Sequence, residues 1–130
     1  MSRTSKETIE AHYAANEVGD LEGMLAPFAD DIVWTEAVGF PLAGTYIGPS
    51  AVAENVFAAL QRDWEGYAVA IDELIVDGPT VVALGTYSGT YRATGKSFTA
   101  RVAHIWEVRD GKAVSFEQIT DTAEVAAAMG

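Results

Sequence analysis

The feature that most constrains this chain is a change of period halfway along it. Up to Trp64 the apolar residues recur at helical spacing except in one short alternating run, Ile32 to Glu36, and from Tyr67 onward they alternate one by one, as in strands with one buried face. Helices first and an antiparallel meander after them give an α+β fold, with the helices gathered on one side of a curved sheet. The 130 residues are enough for one domain and too few for two, so residues 1–130 read as a single unit without linker or internal repeat.

The boundaries follow from local chemistry. Thr4 and Glu7 have capping-box spacing, and Ile9, His12, Tyr13 and Asn16 then share one helical face as far as Gly19, a helix-ending glycine. Asp20 can cap a second, short helix carrying Leu21, Met24, Leu25 and Phe28, kept short by Pro27. Ile32 to Glu36 reads as a strand with Ile32, Trp34 and Glu36 on one side. The Gly- and Pro-rich stretch from Ala37 to Gly48 reads as a long loop, a lid or pocket wall. Pro49 opens a third helix with Val52, Val56, Phe57, Leu60 and Trp64 on its inner face. Strands are expected over Tyr67–Val76, Thr80–Tyr91, Phe98–Val108 and Ala113–Asp121, with turns at Asp77-Gly78-Pro79, Ala93-Thr94-Gly95 and Asp110-Gly111. A helical tail over Thr122–Met129 follows.

Composition excludes several functions. With a net charge of −11, phosphate backbones and anionic membranes are poor partners. The absence of cysteine excludes disulfides, thiolate metal sites and a cysteine nucleophile. The polar opening from Met1 to Lys6 carries no apolar stretch behind it, so neither a signal peptide nor a membrane span is expected, and a cytoplasmic location is the default. No Gly-rich phosphate loop, G-x-S-x-G motif or metal-ligand spacing occurs, and no cofactor or metal is called for. Acid/base catalysis in an apolar pocket, or binding in one, remains.

Three polar groups interrupt apolar rows. His104 shares a face with Phe98, Ala100, Val102, Trp106 and Val108, either as a satisfied core histidine or as an acid, base or hydrogen-bond donor. Glu36 lies on the row of Ile32 and Trp34, either as a strand-end carboxylate in water or as a pocket base. Asp121 either caps the last helix or is re-aimed into the pocket by a bulge. His12 and Tyr13 are adjacent and point about 100° apart, so only one of them is expected to face the sheet. Trp34, Phe40, Phe57, Val102, Trp106 and Phe116 are the expected apolar lining. Thr99, Arg101 and Ile105, with Tyr87 or Tyr91, are candidates for a dimer surface on the outer sheet face.

The runs Gly19-Asp20-Leu21-Glu22, Phe28 to Trp34, Ala43 to Pro49 and Val108 to Lys112 resemble those of ketosteroid isomerases and SnoaL-like polyketide cyclases. So do His104-Ile105-Trp106 and Asp121-Thr122-Ala123. Both families belong to the nuclear transport factor 2-like superfamily. The resemblance implies a cone-shaped, cystatin-like fold around one pocket, and it covers nearly the whole chain. Carried over, the isomerase base falls on Glu36, its protonated aspartate on His104 and its tyrosine donor on His12 rather than Tyr13. The cyclase aspartate, counted from the Asp110-Gly111-Lys112 turn, falls on Asp121. The resemblance thus implies enolate chemistry on a small apolar carbonyl compound, of isomerase, cyclase or dehydratase type, with His104, Asp121 and Glu36 as its acid/base groups. The alternative is a non-catalytic binding or dimerisation module, and a homodimer is compatible with either.

Overall fold

In the computed structural model, which describes residues 3–130 and so leaves Met1 and Ser2 of the polar opening outside it, the helical half and the alternating half fold as two layers. Helix α1 (Ser5–Glu17) begins at a reciprocal cap. The Thr4 hydroxyl accepts from the Glu7 N–H at 3.1 Å and the Glu7 carboxylate accepts from the Thr4 N–H at 2.9 Å. It ends at Gly19, whose φ of 69° favours a residue without a Cβ. Asp20 caps α2 (Leu21–Leu25), accepting from the Gly23 N–H.

The third helical run has three parts: α3 (Pro49–Val52), a π turn over Ala53–Phe57, and α4 (Ala58–Asp63). The strands are β1 (Phe28–Glu36), β2 (Gly44–Ile47), β3 (Trp64–Asp77), β4 (Thr80–Tyr91), β5 (Ser97–Arg109) and β6 (Lys112–Thr120), and α5 (Thr122–Met129) closes the chain. They form one sheet in the order β2-β1-β6-β5-β4-β3.

Four expectations need correction. The sheet is mixed: β3 to β6 make the antiparallel meander, but β1 lies parallel to β6, with Trp34 opposite Phe116. The segment from Ala37 to Gly48 is not all loop, because β2 pairs antiparallel with β1 along the sheet edge. Trp64 leaves the third helix to open β3, and Phe28 leaves the second to open β1, both remaining buried. The inward row of β6 changes parity at a register shift between Glu107 and Val108, so Ala113 and Phe116 are both buried where strict alternation would expose one.

The core has two centres. One gathers Ile9, Phe28, Ile32, Trp34, Val52 and Val56 around Trp106 and Phe116. The other gathers Phe40, Trp64, Tyr87, Phe98 and Val102 under α5, which contributes Val125 and Ala128. The inward face of β5 is buried from Phe98 to Val108, as its alternation requires.

Candidate active site

Between the two core centres a chamber of about 90 Å³ remains unfilled. Helix α1 supplies His12, Tyr13 and Asn16, the third helical run supplies Val56, Phe57 and Leu60, and the sheet supplies Trp34, Glu36, Tyr67, Tyr87, His104, Phe116 and Gln118. Asn16, Phe57, Tyr67, Ala68 and Val69 also border an open groove of about 590 Å³, so they form the mouth.

The apolar walls are aromatic. Trp34 stacks on Phe116 with centroids 3.6 Å apart, and Phe57 meets Trp34 edge-on at 5.6 Å. The π turn places Phe57 at its end, on the chamber side. Turns of this kind are frequent at functional sites.

The polar end is built from strands. Glu36 is the last residue of β1 and only 3% exposed. Its Oε1 accepts from Trp34 Nε1 at 3.3 Å, and its Oε2 is buried with no partner. Burial pushes its carboxyl up to about 7, opposed by the Trp34 bond. The Tyr67 hydroxyl is the other buried, unpartnered side-chain atom among the described residues.

His104 is held from both sides. The Tyr13 hydroxyl lies 2.5 Å from Nδ1 and the Tyr87 hydroxyl 2.5 Å from Nε2. Trp106 Nε1 donates to the Tyr13 oxygen at 3.0 Å, and Gln118 Nε2 donates to the Tyr87 oxygen at 3.0 Å. Burial, with a smaller contribution from His12, pushes His104 down to about 3, so the ring is neutral. Burial also raises the Tyr13, Tyr67 and Tyr87 hydroxyls, and the nearby Glu36 charge adds to the rise at Tyr67 and Tyr87. His12 donates Nδ1–H to the Met24 carbonyl at 2.9 Å, leaving Nε2 as its acceptor, and burial lowers it to about 4.

Of the residues singled out in the sequence, His12, Tyr13, Trp34, Glu36, Phe57, His104 and Phe116 meet at this chamber. His12 and Tyr13 both reach it, where only one of them was expected to face the sheet. Trp106 stands behind the wall and acts through Tyr13, while Phe40 and Val102 pack in the second core centre. Asp121 lies outside: it is exposed, and its carboxylate accepts from the Glu124 N–H at the start of α5. The bulge expected to turn it inward is absent from that end of β6, and capping is its role.

Tyr87 is not on the outer face. It continues the buried β4 row of Val81, Ala83 and Gly85. That row was readable from alternation alone, and it was the signal for a second tyrosine on His104. Tyr67 had no such signal, because a register shift between Glu65 and Ala68 resets β3 beside it.

The model of the SnoaL-like domain family matches residues 9–116. No protein with a curated description matches the chain. Among solved structures, a nuclear transport factor 2-like protein of Burkholderia thailandensis is 50% identical, with 98% of each chain covered and a TM-score of 0.97. Another such protein, from Burkholderia pseudomallei, is 33% identical over 95% of each chain, with a TM-score of 0.87. TerC, co-crystallised with polyporic acid, is 32% identical over 96% of this chain and 97% of its own, with a TM-score of 0.87. The chain belongs to the SnoaL-like domain family and has the nuclear transport factor 2-like, cystatin-like fold.

Proposed function

We propose that the chamber is the active site of an acid/base enzyme acting on a small carbonyl compound through its enolate. The observation that carries this is Glu36, a carboxylate with one oxygen unpartnered, set among aromatic rings and facing tyrosine hydroxyls. Its carboxyl, raised to about 7, is half ionised near neutral pH, where a general base works best. Glu36 Oε2 removes a proton from the carbon next to the carbonyl, the C–H pair becomes the new carbon–carbon double bond, and the carbonyl π pair moves onto the oxygen. A tyrosine hydroxyl hydrogen-bonds that oxygen as charge develops on it. The proton then returns from Glu36 to another carbon, or leaves with a hydroxyl as water. His104 does not present a free N–H, since a tyrosine occupies each nitrogen; it positions the donors instead.

The chamber is smaller than the roughly 300–1,000 Å³ of most ligand pockets. It therefore holds the reacting head of a substrate, with the remainder lying through the mouth into the groove. Co-crystallisation of TerC, 32% identical, with polyporic acid supports a small organic molecule as the ligand class.

The test is exchange of α-hydrogens for deuterium in a panel of small cyclic ketones and diketones, followed by NMR. The wild-type protein is expected to accelerate exchange, with a rate that rises with pH through about 7. Glu36→Gln is expected to lose about a hundred- to ten-thousand-fold. Binding without exchange would return the chain to a binding module, and exchange untouched by Glu36→Gln would remove Glu36 as base.

The same reading includes a homodimer through the outer sheet face, where Val33, Ile47 and Ile119 stand 41%, 58% and 50% exposed beside Ile105 and Leu84. A second copy of that face is its natural cover.

A further inference from the structure

The hydroxyls of Tyr13 and Tyr87 and the ring of His104 form a hydrogen-bonded chain that receives a donor at each end. Trp106 Nε1 can only donate, and it enters at the Tyr13 oxygen. At the far end the orientation of the Gln118 amide is fixed, because its Oε1 accepts from the Ala37 N–H at 3.0 Å. Its Nε2 therefore donates to the Tyr87 oxygen. Between the tyrosines, a neutral imidazole offers one N–H and one lone pair.

Such a chain holds one proton more than it has acceptors. When Nε2 carries the ring proton, Nε2–H donates to Tyr87, the Tyr13 O–H donates to Nδ1, and the Tyr87 proton is surplus. When Nδ1 carries it, the Tyr13 proton is surplus. Both hydroxyls line the chamber, so the surplus proton is offered to whatever occupies it.

We propose that His104 is a tautomeric relay that sets which tyrosine offers its proton, and that the ligand is a hydroxy-carbonyl compound between whose two oxygens the relay moves one proton. The ligand's chemistry rests on the enolate reading above; the wiring does not. The step balances atom by atom. Tyr87 gives its O–H proton to the enolate oxygen, whose lone pair forms the new O–H bond. The Nε2 proton passes to the Tyr87 oxygen, and Nδ1 takes the Tyr13 proton. Tyr13 recovers a proton from the ligand's acidic hydroxyl, whose O–H bond pair stays on that oxygen. The ring has exchanged tautomers, and no proton has come from water. Because burial raises both hydroxyls, a tyrosinate is costly and the transfers are concerted.

The ring nitrogen shifts of protein labelled with ¹⁵N-histidine test this, since they separate N–H from lone-pair nitrogen. His12, the only other histidine, is an internal control for the fold, with Nδ1–H fixed on Met24. Wild-type His104 is expected to show a mixture of tautomers. Tyr87→Phe is expected to shift the ratio toward Nδ1–H, and Tyr13→Phe toward Nε2–H, each by about tenfold or more, because a buried N–H is not left unpaired. Adding 4-nitrophenolate to the wild-type protein is expected to draw the ring toward one tautomer. One fixed tautomer in the wild-type protein with and without the phenolate, or an imidazolium, would overturn the relay, even if a variant failed to fold. Shifts that follow the tyrosines while no ketone exchanges would retain the wiring and sink only the enolate reading.

Discussion

Glu36 concentrates the chemistry of the molecule, and its burial has a consequence for stability that runs opposite to that of the histidines. In the unfolded chain its carboxyl ionises around the ordinary 4.5, whereas the folded protein keeps the proton up to about 7. Between those values the folded state binds more protons, so stability falls as pH rises, by about 3 kcal/mol over the window. His12 and His104, lowered to about 4 and about 3 from 6.5, stay neutral where the unfolded chain takes up protons, so each loses stability as pH falls below 6.5. The two histidines together outweigh Glu36 below 6.5, so denaturant unfolding is expected to show stability rising with pH to about 7 and level above it. Glu36→Gln is expected to steepen that rise, and a difference between the two proteins that did not change with pH would mean the carboxyl is not held protonated. Glu36 and His104 were legible in the sequence because a charged or titratable group interrupts an apolar row. Tyr87 was read as an outer-face candidate, since its place in the buried row of β4 does not show what its hydroxyl meets; the strand register shows that.

The elements were legible where one residue or one period determines them. The capping box of α1 is local, and Thr4→Ala is expected to cost about 1 kcal/mol in denaturant unfolding. Asp121 is a cap in the same sense: Asp121→Ala is expected to lose about 1 kcal/mol and Asp121→Asn almost nothing, with ketone exchange unchanged in both. Strand β2 escaped the reading because four residues that are mostly exposed carry no hydrophobic pattern. The π turn escaped because its apolar residues fit ordinary helical spacing equally well. Gly85 shows how tightly β3 and β4 approach near the register shift: a Cβ there would sit 2.3 Å from the Ala70 carbonyl oxygen. Gly85→Ala is expected to cost about 2 kcal/mol, more than either cap, because backbone must move to admit it. A Tm shift smaller than that of Thr4→Ala would argue against so close a contact.

At the scale of the whole molecule, the helices cover one face of the sheet and leave the other apolar at its centre. Ile119→Lys is expected to convert a dimer to a monomer in sedimentation velocity, without loss of ketone exchange, since the chamber opens on the opposite side. A dimer that survives the substitution would place the interface elsewhere. The parallel pairing of β1 with β6 joins segments from opposite ends of the chain, Val33 beside Ser115, and no local period announces it. It also sets an order of events during synthesis. Trp34 and Glu36 emerge from the ribosome early, but the stacking partner of Trp34 and the strand on which β1 is laid emerge almost last. The two sides of the chamber are thus made at different times, and a chain interrupted before β6 would carry most of the site residues and the whole mouth, with no closed chamber behind them.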